Sequence, residues 1–269
     1  MPNIDQKLKN ELIATAHALA DAARPVTLEY FRTSSLMADN KQSAGFDPVT
    51  VADRQSELIM RETLAKLRPD DGIVGEEFGE TTGSSGYTWV LDPIDGTRGY
   101  ISGTPTWGVL IAVNAGAGPL FGLIDQPYVQ ERFAGGFGVA ELIGPHGKKP
   151  LHTRSVNALA EAVIFTTFPE VGTEVEGQAF HDLARQTKLT RYGMDCYAYA
   201  LLALGQVDLV VEAGLSSYDI QAPIAVVEAA GGTITDWQGR PAHDGGRAVA
   251  AGSKELHAMA LEVLIKTIG

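Results

Sequence analysis

An α/β fold in two halves is what the sequence predicts, and three observations predict it. The chain has 269 residues and is 45% hydrophobic, enough to bury one large core or two of about 100–150 residues each. Between residues 72 and 144 short apolar runs rich in Val, Ile, Trp and Phe follow one another, parted by glycine or proline, as in an antiparallel or mixed sheet. Beyond residue 150 strand-like and helix-like segments alternate, as when helices pack against a sheet. The change of character at "GPHGKKP", residues 144–150, sets the expected boundary between an N-terminal α+β part, 1–147, and a C-terminal α/β part, 148–269.

Each element has its own signal. Ile4, Leu8, Leu12, Ala16 and Leu19 recur at helical spacing, so an amphipathic helix is expected over residues 3–22. A second helix is expected over 25–31, with Pro25 in a first turn that does not need its missing N–H. "NKQSAGFDPVTVADRQ" reads as a loop and then a helix from Val51 to Leu67, which Pro69 and Gly72 end. Strands are expected at "GIVGEE", "YTWVLD", "TWGVLIAVN", "FGLIDQP", "RFAGGF" and "GVAELIG". In the second half strands "AVIFTT", "VDLVVEAG", "GTITDW" and "RAVAAG" alternate with helices "EVEGQAFHDLARQT", "CYAYALLALG", "DIQAPIAVVEAAG" and "SKELHAMALEVLIKTI". There is no internal repeat and no low-complexity tract.

Charge and cysteine content narrow the function. The formal balance is 21 − 33 = −12, an acidic surface that repels a phosphate backbone, so no nucleic-acid partner is expected. A single cysteine, Cys196, excludes an intramolecular disulfide and any multi-cysteine zinc site, and suits a reducing compartment. The first 24 residues mix charged with apolar side chains and hold no long hydrophobic segment, so neither a signal peptide nor a membrane span is expected, and the cytoplasm is the expected location.

The acidic residues carry the chemistry. In "YTWVLDPIDGT" an apolar run delivers Asp92 to a strand end, Pro93 blocks the ladder and Gly96 permits a tight turn, so Asp92 and Asp95 project from one turn. The plain alternative is a turn former or helix cap at Asp95 and a solvated charge at Asp92. Glu76 and Glu77 end another short strand, however, and Asp219 starts an apolar helix. Carboxylates converging from these termini could not all stay ionised without a cation. A hard divalent ion bound by oxygen is the natural compensation, and Mg²⁺ is the usual choice beside phosphate oxygens. The six histidines form no close pair, which gives nitrogen-ligated zinc little support. The Gly96 and Thr97 amides, opening an expected helix, suit an anion, and together these features suggest phosphate-ester chemistry. Asp53 fits a capping box with Thr50, and equally a proton acceptor working with the Thr97 hydroxyl.

"GEE" (75–77), "WVLDPIDGTRGY" (89–100) and "YDIQAPIAVVEAAGG" (218–232) closely resemble, in order and spacing, the signature blocks of the inositol monophosphatase family, Mg²⁺-dependent and lithium-sensitive phosphatases. With the upstream "DPVTVAD", the resemblance spans nearly the whole chain. It implies a five-layer αβαβα sandwich, a homodimer, and hydrolysis of a small phosphomonoester with two or three Mg²⁺ ions. By the resemblance Glu76, Asp92 and the Ile94 carbonyl bind a first metal, Asp92, Asp95 and Asp219 a second, and a third ion leans on Glu76. Asp53 and Thr97 match the pair that activates the nucleophilic water, and Asp95, Gly96 and Thr97 the phosphate-binding turn. "DCYAY" and "VDLVVEAGL" look most like the histidinol-phosphatase branch of the family, although Met194 stands where that branch more often has glycine. Asp195, Glu212 and Asp219 are then the substrate-binding acids, with Asp195 and Glu212 placed to pair with the ammonium and imidazole of histidinol phosphate.

Plainer roles stand beside these: a helix cap for Asp195, a solvated strand end for Glu212, a buried packing residue for Cys196 and a solvated pair for Lys148 and Lys149. No P-loop, dinucleotide-binding or GxSxG motif is present. Aspartyl-phosphate phosphatases space their two aspartates by two residues, against three here, so attack by water without a covalent intermediate is expected. The alternatives are an inositol-1-monophosphatase of broad specificity and a non-catalytic member that binds metal or a partner. The complete set Asp53, Glu76, Asp92, Asp95, Thr97 and Asp219 speaks against the latter.

Overall fold

The structure, a computed structural model, describes residues 4–33, 38–40, 48–168 and 170–268. The first half holds α1 (Gln6–Tyr30), β1 (Ala38–Asn40), β2 (Pro48–Thr50), α2 (Val51–Leu67), β3 (Gly72–Gly75), β4 (Gly79–Thr81), β5 (Thr88–Asp95) and α3 (Thr97–Ser102). A run of hairpins follows: β6 (Gly108–Asn114), β7 (Pro119–Gln126), β8 (Glu131–Gly136), β9 (Val139–Gly144) and β10 (Gly147–Pro150). The remainder forms β11 (Val163–Thr166), α4 (Glu174–Ala184), β12 (Leu189–Tyr192), α5 (Tyr197–Ala203), β13 (Leu209–Leu215), α6 (Ser217–Ala229), β14 (Thr233–Thr235), β15 (Gly246–Ala251) and α7 (Lys254–Ile268).

Besides the small antiparallel β1-β2 pair, two sheets organise these elements. The larger has the order β10-β9-β8-β7-β6-β5-β3-β4 and is antiparallel except where β3 runs parallel to β5. The smaller has the order β12-β11-β13-β15-β14, with β11 parallel to both of its neighbours. Strand alternation sends opposite faces into different cores. Trp89, Leu91, Val109, Ile111 and Val113 pack under α1 and α2, whereas Val90, Leu110 and Ala112 face α5 and α6. In the smaller sheet Val210, Ala248 and Ala250 face that same central layer, while Leu209, Val211, Val249 and Ala251 face α4 and α7. The result is a five-layer αβαβα sandwich in which both sheets are covered on both faces. That is why the strands read as almost continuous apolar runs.

Three sequence expectations meet the structure differently. Pro25 does not divide two helices, because it lies inside a continuous α1 whose N-cap, Asp5, accepts the Leu8 amide at 2.7 Å. Leu12, Ala16, Leu19, Ala23 and Thr27 form one buried stripe across it, and Asp21, whose carbonyl loses its helical partner, is exposed to water. The expected boundary after residue 147 falls inside β10, which pairs with β9 from Gly147↔Gly144 to Pro150↔Glu141 and extends the larger sheet. Lys148 and Lys149 are exposed on that edge strand, Lys148 pairing with Glu141 at 3.1 Å. The loop expected before α2 lies mostly at 41–47, outside the described residues. Among the described residues no helix is long and apolar enough to cross a membrane.

Candidate active site

The site forms where β5 leaves the larger sheet. Asp92 still pairs opposite Leu110, but the register shifts before Asp95 pairs opposite Gly108, so Pro93 and Ile94 bulge out of the ladder. The Asp92 carboxylate accepts the Ile94 amide at 3.0 Å. Gly96 then takes φ 81° and ψ 42°, a left-handed turn suited to glycine, and α3 begins at Thr97. A bulge and a glycine turn thus aim both carboxylates into one place.

Asp219 arrives from the central layer. It is the third residue of α6, where its carboxylate accepts the Ser216 amide at 2.7 Å in a capping box. Two glycines let α6 lie directly on the larger sheet. A Cβ at Gly122 would come within 2.8 Å of the Ala222 carbonyl, and one at Gly135 within 2.4 Å of the Ala225 carbonyl and the Val226 Cα. Carboxylate oxygens of Asp92, Asp95 and Asp219 consequently lie within 4.8 Å of one another. Burial pushes the Asp92 carboxyl well above the usual range, and Glu76, Asp95 and Asp219 push it further. Burial does the same to Asp95, with Asp195 and Asp219 adding to it, against the opposing 2.6 Å hydrogen bond from the Cys196 amide. An all-oxygen donor set this close fits hard divalent cations, which would remove the repulsion.

Glu76 follows β3 and lines the same cavity. Its turn is held by Glu57, a fully buried residue of α2 that sequence reasoning missed. The Glu57 carboxylate accepts the Glu77 amide at 2.6 Å and the Phe78 amide at 3.2 Å, and pairs with Arg61 at 2.7 Å. Asp53 has both of its expected contacts. It caps α2 by accepting the Thr50 amide at 2.8 Å and the Thr50 hydroxyl at 2.5 Å, and its other oxygen accepts the Thr97 hydroxyl at 3.4 Å. That hydroxyl also lies 3.2 Å from the Ile94 carbonyl. Burial pushes Asp53 up to about 7, opposed by the Thr50 hydrogen bonds and aided by Glu76 and Glu77.

A cavity of about 470 Å³ joins this cluster to the smaller sheet. Glu76, Asp95, Thr97 and Asp219 line one part, and Asp195, Glu212, Tyr199 and Thr167 another. Glu212, on β13, is buried rather than solvated, and accepts the Thr167 amide at 2.7 Å, the Thr167 hydroxyl at 2.9 Å and the Thr166 hydroxyl at 3.2 Å. Burial pushes its carboxyl up to about 7. The Asp195 side chain does not cap α5. Its residue has φ 46°, and its carboxylate accepts the Thr106 hydroxyl at 3.1 Å while lying against Gly96, where a Cβ would be 2.6 Å from its Cγ. Met194 packs on the central core and is not among the cavity-lining residues, and Cys196 is buried with its thiol pushed up by burial and the nearby acids. Over the cavity Arg98 stacks on Phe168 at 4.8 Å, a contact between residues 70 apart that no local pattern signals.

Comparison with known proteins places this geometry. The model of the inositol monophosphatase family matches residues 8–268. The chain is 39% identical to the chloroplastic bifunctional phosphatase IMPL2 of Arabidopsis thaliana, over 98% of this chain and 80% of that one. It is 36% identical to a histidinol-phosphatase of Streptomyces coelicolor, over 89% of this chain and 91% of the relative. A solved structure of an inositol monophosphatase from Zymomonas mobilis superposes with a TM-score of 0.85 at 40% identity, covering 95% of this chain and 98% of the other.

Proposed function

The chain belongs to the inositol monophosphatase family of phosphatases, and on that premise we propose that it is a Mg²⁺-dependent histidinol-phosphatase, hydrolysing L-histidinol phosphate to L-histidinol and phosphate. The observation that carries the substrate is the pair of acids, half-buried Asp195 and buried Glu212, on the same cavity as the metal-type carboxylates. An amino-imidazole end offers them cationic and N–H partners, whereas a cyclitol offers only hydroxyls. The likeness to a histidinol-phosphatase supports the same reading.

In this reading Glu76, Asp92, Asp95, Asp219 and the Ile94 carbonyl hold two or three ions. When bound, such ions supply Lewis-acid stabilisation of the phosphate and of the leaving oxygen. The chain's own groups do the rest. Amides of the Gly96–Thr97 turn, with Asp95 beside them, orient the phosphate. The Thr97 hydroxyl, bonded to Asp53, orients the attacking water, and Asp53 takes its proton. Asp195 and Glu212 hold the organic end, fixing the ester for in-line attack. A homodimer and a cytoplasmic location complete the proposal.

The second reading, a broad inositol-1-phosphate phosphatase, is favoured by the 40% identity to a solved inositol monophosphatase. Phosphate release from L-histidinol phosphate and inositol 1-phosphate, measured side by side, separates the two. The expected preference for histidinol phosphate is a hundredfold or more in kcat/KM, about 2.7 kcal/mol. Equal rates, or the reverse preference, would keep the phosphatase and sink the histidinol assignment. Asp92→Asn, and chelation of the wild type, should each cut turnover by at least about 10³-fold. No release from any phosphomonoester would favour a binding-only protein.

A further inference from the structure

Tyr199, on α5, is only 3% exposed, and its hydroxyl is buried without a hydrogen-bond partner among the described residues. Leaving a buried hydroxyl unsatisfied destabilises the fold, a cost that phenylalanine in the same space would avoid. The surroundings indicate what the hydroxyl is for. The side chain lines the cavity, and the charges that bear most on it are Glu212, Asp95 and Asp219, all cavity carboxylates. Burial and these acids keep the phenol protonated far beyond neutral pH, so it remains available as a hydrogen-bond donor. Neighbouring Glu212 already receives three hydrogen bonds, from Thr166 and Thr167, and none from Tyr199.

We propose that Tyr199 is a specificity-determining residue whose hydroxyl donates to the unprotonated ring nitrogen of an imidazole-bearing phosphomonoester, while Glu212 accepts from the opposite ring N–H. The proposal rests on the histidinol-phosphate reading and deepens it. In that reading the phosphate sits at the Gly96–Thr97 turn, and Tyr199 lines, with Asp195, Glu212 and Thr167, the part of the cavity left for the organic group. An imidazole presents an acceptor and a donor on one ring, the complement of a phenol beside a carboxylate.

The test compares wild type with Tyr199→Phe on L-histidinol phosphate and on glycerol 2-phosphate, which has no ring, and follows the thermal midpoint of each ligand-free protein. The expected result is at least a tenfold fall in the kcat/KM ratio of the two substrates, borne by KM for histidinol phosphate, with a midpoint equal to or above that of wild type. An unchanged ratio would overturn the proposal. So would a lowered midpoint with equal losses on both substrates, since the hydroxyl would then serve the fold. Failure of the underlying reading shows separately, in wild type alone, as the absence of any preference for histidinol phosphate over inositol 1-phosphate.

Discussion

Glu212 ties the stability of the fold to pH. Burial lifts its carboxyl from the ordinary 4.5 to about 7, so between those values the folded chain keeps a proton that the unfolded chain releases. Stability in the absence of metal must therefore fall as pH rises through that window, and the loss is complete above it. Glu212→Gln removes this penalty. In chelator the variant should gain on wild type by on the order of 2–3 kcal/mol between pH 5 and pH 8, read from urea unfolding at both values, and a gap that stays constant would contradict the assignment. At this scale Asp92, Asp95 and Asp219 were legible because a strand end, a glycine turn and a helix start can each be read locally. Glu57 was not, since it serves amides 20 and 21 residues away.

At the scale of elements, helix α6 is positioned by what its neighbouring strands lack. Gly122 and Gly135 leave its backbone in contact with the larger sheet, and Asp219 is carried at its N-terminal end. Gly135→Ala would push a methyl group into main-chain atoms that cannot swing aside. The expected cost is about 1–3 kcal/mol of stability, with a loss of turnover as Asp219 moves off the cluster. Calorimetry with phosphate release checks both, and a variant with unchanged midpoint and turnover would show that the helix is not so held. Long apolar strands and the capped helix α2 were readable from pattern, whereas β4, β10 and β12 were missed. Their sequences, "GET", "GKKP" and "LTRY", have no apolar alternation because they sit at sheet edges, where a neighbour's backbone supplies the pairing. Pro25 misled for a related reason, since a buried stripe along α1 outweighs one lost hydrogen bond.

At the scale of the whole molecule, α5 and α6 belong to both sheets at once, so neither half has a complete core of its own. The chain should unfold in one transition. Trp89 and Trp107 lie in the first half and Trp237 in the second, all fully buried, so variants retaining a single tryptophan from either half should give coincident denaturant midpoints. Separated midpoints would reveal two independent units. The close fit of Asp195 against Gly96 reaches beyond stability. A side chain at 96 and a carboxylate at 195 claim the same space, with a Cβ only 2.6 Å from the Asp195 Cγ. The turn proposed to grip phosphate and the acid proposed to face the organic group are therefore sterically coupled. A chimera that takes residue 96 from a relative with a bulkier turn must take residue 195 from it as well, so a side chain enters this turn only by paired change at these two positions.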